Sequence, residues 1–198
     1  NVMPFNSKQP RSLQSDVVYA QVYDPPYLWV GMRGGGLMRL NTANNSQTFF
    51  RNDGNDGSSI VSNDVITLYK DSRKRLWIGT TQGLDLLVTK GKKISFHHVI
   101  DSHTAAFSKN IHNLQEDIFH NIWASTSSGI VRIQPNLTLT NFTHKDGLQG
   151  DEFSDGAGLS CDGGRKVFFG ETDGTSILFP TQMQTTGSMP TLLHNGIR

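Results

Sequence analysis

One four-residue word recurs along this chain and limits what it can fold into. Leu28-Trp29-Val30-Gly31, Leu76-Trp77-Ile78-Gly79 and Ile122-Trp123-Ala124-Ser125 are copies of it, and Val167-Phe168-Phe169-Gly170 is a fourth with Phe in place of Trp. The aromatic positions are 48, 46 and 45 residues apart. Three further columns keep the same phase. Asp24, Asp71, Asp117 and Asp162 precede the aromatics by five or six residues; Gly36, Gly83, Gly129 and Gly174 follow by six or seven. Phe5, Phe50, Phe96 and Phe142 recur at steps of 45, 46 and 46. Chance spacing of tryptophans would not bring the other columns along, so the chain is an array of one unit of about 46 residues.

The second copy shows what the unit is. Asp64 to Tyr69 alternates apolar and polar residues like a half-buried strand, and Asp71 to Arg75 is a polar turn. Leu76 to Thr80 is a second strand. Gly83 turns the chain into a third over Leu84 to Val88, and Gly91 turns it into a fourth over Ile94 to Val99. No stretch sustains a helical period, which predicts almost no helix. One four-stranded sheet of this size cannot bury both faces, so the units must stack. Four strands per repeat of this length match radial stacking, which predicts an all-β fold of about four four-stranded antiparallel β-propeller blades.

In this reading Trp29, Trp77, Trp123 and Phe168 are buried between blades. The four aspartates accept backbone N–H groups in the first turn of each blade, as a repeated Asp does, rather than performing acid–base chemistry. Residues 1–183 form the propeller segment. Strand four of one blade lies at 1–10, blades lie at about 14–54, 62–101 and 109–146, and a partial last blade lies at 155–181. The aromatic expected near position 188 is missing, so residues 184–198 read as a linker or the start of another domain. The chain opens on polar sequence without a leader, which suggests a processed protein or an excised piece. An open arc of blades exposes an apolar face at each end. This predicts either closure through the Phe5 strand, by pairing with other blades of the same protein, or pairing of two chains as a homodimer.

Composition excludes several functions. The chain has 198 residues, with 18 basic and 17 acidic side chains, so no charge excess marks a nucleic-acid partner. No apolar run approaches the ~18 residues of a membrane span, so no membrane contact is expected of this segment. Cys161 is the one cysteine, and no disulfide framework holds the fold. Gly34-Gly35-Gly36 follows a strand but opens no helix, which makes it a turn and not a phosphate loop. His97 and His98 are adjacent in a strand and face opposite ways, while His103, His112 and His120 are dispersed, so no metal site and no cofactor are expected. A convergent catalytic set of His, Tyr, Arg or carboxylates on one rim is not visible either, which disfavours a propeller-type carbohydrate-active enzyme. Candidate ligand contacts fall on the rim built by the loops between strands two and three: Arg33, Gln82, Ser127 and Asp173, read as corresponding places in four blades.

Specific words carry a resemblance. Asn63 to Leu68, Asp71, Leu76-Trp77-Ile78-Gly79-Thr80 and Gly83-Leu84 closely resemble the two-component regulator propeller repeat. Lys145-Asp146-Gly147-Leu148-Gln149-Gly150-Asp151-Glu152-Phe153, then Gly163, Val167 to Gly170, Asp173-Gly174 and Phe179-Pro180, resemble that family's last blade. The resemblance implies part of a seven-bladed ring, followed by an immunoglobulin-like domain, a membrane span and an output module. That output is a hybrid histidine kinase or, alternatively, a diguanylate cyclase. The expected role is a periplasmic sensor domain that binds a small molecule or an oligosaccharide without turning it over. The competing expectation is a plain scaffold, with sensing done by other blades.

Overall fold

The computed structural model describes residues 15, 17–104, 108–172 and 174–186, with side chains described up to 183. The chain groups into two compact units, residues 1–105 with 109–111, and residues 106–108 with 112–198.

The first unit holds two four-stranded antiparallel meanders. One comprises β1 (Val18–Asp24), β2 (Tyr27–Met32), β3 (Gly36–Asn41) and β4 (Gln47–Phe50); the other comprises β5 (Val65–Lys70), β6 (Leu76–Thr80), β7 (Leu84–Lys90) and β8 (Lys93–Ile100). The second unit holds a four-stranded meander of β9 (Ile111–Glu116), β10 (Ile122–Thr126), β11 (Gly129–Ile133) and β12 (Leu139–Phe142), with Ile111 itself grouped with the first unit. A three-stranded sheet follows, of β13 (Phe153–Cys161), β14 (Lys166–Glu171) and β15 (Gly174–Leu178). The fold is all-β, and its sheets are β-propeller blades, as the repeat predicts.

Side chains alternate across each strand, so each sheet has two apolar faces to cover. In the first unit Trp29 packs with Leu37, Ile60, Val65, Leu68, Leu76, Ile78 and Phe96 between the two sheets. Val30, Met32, Met38 and Leu40 form a separate cluster on the other face of the first sheet. Phe50 stacks on Trp29 at 6.0 Å and meets Phe96 edge-on at 5.5 Å. In the second unit Trp123 packs with Ile130, Leu148, Phe153, Val167, Phe169 and Leu178, and Phe142 lies 5.6 Å from its ring.

Three expectations need correction. Phe168 holds the tryptophan register position, opposite Ile177 as Trp123 is opposite Arg132, yet it is only half-buried. Alternation sends Val167 and Phe169 to the Trp123 layer, and Phe168 lies on the other face of its sheet. Phe96 is not the counterpart of Phe50 and Phe142. Those two pair with Leu37 and Ile130, the first apolar residues of their third strands, and in the second sheet that partner position belongs to Ile100. The eight-residue β8 shifts register beside Leu84, so equal spacing along the chain ends at a different rung of the ladder. Finally, residues 180–186, which cross the expected end of the propeller segment at 183, are helical. They form a short helix, α1 (Pro180–Thr186), with Pro180 at its start and Met183 buried in the Trp123 cluster. Phe5 and its strand lie outside the described residues.

The recurrent aspartates divide into two kinds. Asp71 accepts from Arg75 N–H, from Arg75 Nε and, at 2.9 Å, from Trp77 Nε1. Asp117 accepts from the Phe119 and Asn121 N–H groups and, at 2.7 Å, from Trp123 Nε1. Both carboxylates are buried, so each ties the first turn of its blade to the tryptophan of the next strand. The other two depart from the expectation of turn N–H acceptors: Asp24 pairs with Lys70, and Asp162 pairs with Lys166. One cause is spacing, since Trp29 follows Asp24 by five residues instead of six; the other is chemistry, since the Phe168 ring has no N–H to offer a carboxylate.

Candidate functional site

The hairpins joining second to third strands are clamped by backbone geometry. Gly36, Gly83 and Gly129 have φ of 75°, 155° and 100°, and a Cβ on each would lie 2.3, 2.1 and 2.1 Å from the carbonyl oxygen of Phe50, Ile100 and Phe142 respectively. Only glycine fits there. Thr80 and Thr126 hydroxyls each donate to the carbonyl of the closing glycine at 2.9 Å and accept the N–H of Gln82 or Ser128 at 3.1 Å. Gly36 N–H donates to Asn63 O at 2.8 Å, and Gly129 N–H to Asp151 O at 2.8 Å. Gly34 N–H bonds the Asp64 carboxylate, and Thr81 N–H bonds Asp64 O. Within each unit, second-to-third-strand hairpins and the segments leading into the next sheet therefore share a rim.

The candidate contacts do not all hold corresponding places on that rim. The threonine bonds align Gln82 with Ser128, so Ser127 corresponds to Thr81. The first hairpin is one residue longer, with Arg33, Gly34 and Gly35 at its tip. Arg33 and Gln82 are exposed, while Asp173 lies outside the described residues.

Ser127 has a different setting. Its hydroxyl lies 2.8 Å from His112 Nε2, and His112 Nδ1 lies 2.5 Å from Asp155 Oδ1. These side chains come from β9, the β10–β11 hairpin and β13. The connectivity is that of a Ser–His–Asp relay, which spacing along the chain could not reveal. Acyl transfer would also need free backbone N–H groups beside the serine to hold an oxyanion. Ser128 N–H is committed to Thr126 Oγ1 and Gly129 N–H to Asp151 O. Asp155 is 51% exposed, which weakens it as an orienting carboxylate. The set is a tie between neighbouring strands. A fluorophosphonate probe is expected to leave Ser127 unlabelled by intact-mass analysis; labelling that disappears in Ser127→Ala would give the relay a nucleophile.

Each unit also carries a recess lined by described residues. In the second unit Gln149, Gly150, Asp151, Glu152, Glu171 and Thr172 line a hollow of about 290 Å³ on the hairpin side of its sheets. Partial burial pushes the Asp151 carboxyl up, but ring and backbone N–H bonds from His144 outweigh it and hold the group below the usual carboxylate range. In the first unit a cleft of about 700 Å³ opens at the opposite edge of the sheets, where first-to-second and third-to-fourth strand turns lie. Tyr27, Trp29 and Arg39 form its wall on the first sheet, and Lys74, Arg75 and Lys92 come from turns of the second. Among the described residues no group of three His, Cys, Asp or Glu side chains is placed to hold a metal ion.

The two-component regulator propeller model matches residues 59–82, which span the lead-in to β5, all of β5 and β6 and the start of their hairpin. That matched stretch carries the two-component regulator propeller repeat. A curated relative, Histidine kinase P4 of Formosa agariphila, is 25% identical over 235 aligned positions, covering 94% of this chain and 17% of the kinase. Two solved structures from B. thetaiotaomicron share the fold, both described as extracellular domains of hybrid two component systems. For BT3049 the TM-score is 0.72 at 22% identity, covering 90% of this chain and 24% of that one. For BT4673 it is 0.68 at 18% identity, covering 84% and 24%. The propeller segment thus spans less than a fifth of the kinase and about a quarter of each structure. No helix among its described residues is long and apolar enough to cross a membrane.

Proposed function

We propose that this chain is a ligand-sensing segment of the periplasmic part of a bacterial transmembrane signalling receptor with a histidine kinase output. One observation carries the reading. Each hairpin of the rim closes on a position that only glycine fits, Gly36, Gly83 or Gly129, yet the exposed tips differ, with Arg33 in one and Gln82 in another. A rigid frame with variable tips suits recognition. The likeness to extracellular domains of hybrid two component systems, and to a histidine kinase, supports the receptor context.

The ligand is a small molecule or an oligosaccharide that is bound and not turned over. It shifts the relative placement of two protomers only to the extent that it binds one arrangement more tightly than the other. That shift is the signal relayed to the output.

A thermal-shift screen of the whole ectodomain against sugars, peptides and small metabolites tests this. A hit is expected that is lost in both Arg33→Ala and Gln82→Ala. A hit that neither substitution touches would remove this rim as the site, and the absence of any hit would count against sensing by the ectodomain.

A further inference from the structure

The cleft at the opposite edge of the first unit has an unbalanced charge. Asp24, on its lip, is already paired with Lys70, and Arg75 is paired with the buried Asp71. Arg39, Lys74 and Lys92 have no ion pair among the described residues. Arg39 stands on β3 with its guanidinium carbon 4.6 Å from the Tyr27 ring centroid and 5.8 Å from that of Trp29. Stacking on an aromatic face fixes the plane of a guanidinium and leaves its N–H donors at the edge, where they match the two oxygens of a carboxylate, sulfate or phosphate. Lys74 and Lys92 are exposed and reach the cleft from two different turns. Lys74 has a φ of 63°, and its N–H is bonded to Asp71 O, so its backbone is held in place.

We propose that this cleft binds a small, multiply charged oxyanion, with the Arg39 fork as its anchor and Lys74 and Lys92 as the flanking charges. The repeat supplies an internal control. Arg132 occupies the register of Arg39, opposite Trp123 as Arg39 is opposite Trp29, and it lies 5.8 Å from that ring. Arg75 also lies over Trp77, at 4.9 Å, so stacking alone does not set this cleft apart. On the sheet that follows Arg132, however, Arg165 alone stands where Lys74 does relative to the turn aspartate, and the stretch after β15, from Phe179 to Gln184, carries no basic residue. The Arg39 cleft lies away from the rim with Arg33 and Gln82, so the proposal stands or falls independently of sensing at that rim.

The test is calorimetric titration of the chain with inorganic phosphate, citrate and a sulfated disaccharide, at low and high salt. At least one probe is expected to bind at low salt, with affinity falling as salt rises. Arg39→Met should weaken that binding about tenfold or more, and Arg39→Lys should weaken it less. Lys74→Ala with Lys92→Ala should flatten the salt dependence, and Arg132→Met should change nothing. Which probe binds identifies phosphate, carboxylate or sulfate as the preferred group. The proposal is overturned if none binds at millimolar concentration in low salt. It is overturned equally if Arg39→Met binds like the parent, or if Arg132→Met loses as much as Arg39→Met. Should Arg39→Met fail to fold by circular dichroism, Arg39→Lys and the double lysine variant decide the matter, and parent-like binding in both would overturn it.

Discussion

Replacing Trp123 with alanine is expected to lower the unfolding free energy by about 3–5 kcal/mol, read from urea denaturation. The side chain is fully buried in the core of the second unit, so truncation leaves a large cavity among Ile130, Val167 and Phe169. It also removes the indole N–H from Asp117, whose carboxylate is only 3% exposed. An underbonded buried carboxylate carries its own desolvation cost. Two phenylalanine variants separate these contributions. Trp123→Phe keeps most of the packing and should still cost about 1–3 kcal/mol through the lost bond. Trp29→Phe should cost less, because Asp24 is bound to Lys70 and Trp29 is held by stacking on Phe50. Equal costs for the two would mean that the Asp–Trp bond contributes nothing.

Gly129→Ala is the second large effect, expected at about 2–4 kcal/mol. Its φ of 100° is poor for any L side chain, and the added methyl would sit 2.1 Å from a backbone oxygen that β11–β12 pairing holds in place. Gly34→Ala isolates the first of these costs. Its φ is 66°, but nothing lies within 4 Å of the added carbon, so about 1 kcal/mol is expected. Gly174→Ala, in the glycine column of the last sheet, meets only the flexible end of Gln149 and should be close to neutral. Thermal melts of the three variants check the order; a Gly129→Ala protein as stable as Gly174→Ala would refute the clamp.

Much of this architecture was legible in the sequence, because a repeat writes the same structural demand several times. Trp29, Trp77 and Trp123 announced strand, period and burial together. Spacing failed where the ladder slips, as at Phe96, since distance along the chain does not count rungs. It failed at Phe168 because a column shows a position but not which face has a neighbour. The rim residues are a different case: Gln82 follows its tryptophan by five residues and Ser127 by four, and the threonine bonds keep to that spacing by aligning Gln82 with Ser128. The His112 set and the Arg39 cleft were hidden for another reason. Each draws on separate strands and turns, so its members look singly like ordinary solvated residues.

The bonds from Gly36 to Asn63 and from Gly129 to Asp151 bear on how a force would travel. A side chain at a hairpin tip hangs from a peptide that is also fastened to the threshold of the following sheet. Tugging on one tip therefore loads two sheets at once, through main-chain links. The amino acid at the tip can be exchanged without touching those links. Chemistry and transmission are thus on separate parts: what is gripped depends on the side chain, and how the grip is relayed depends on the main chain.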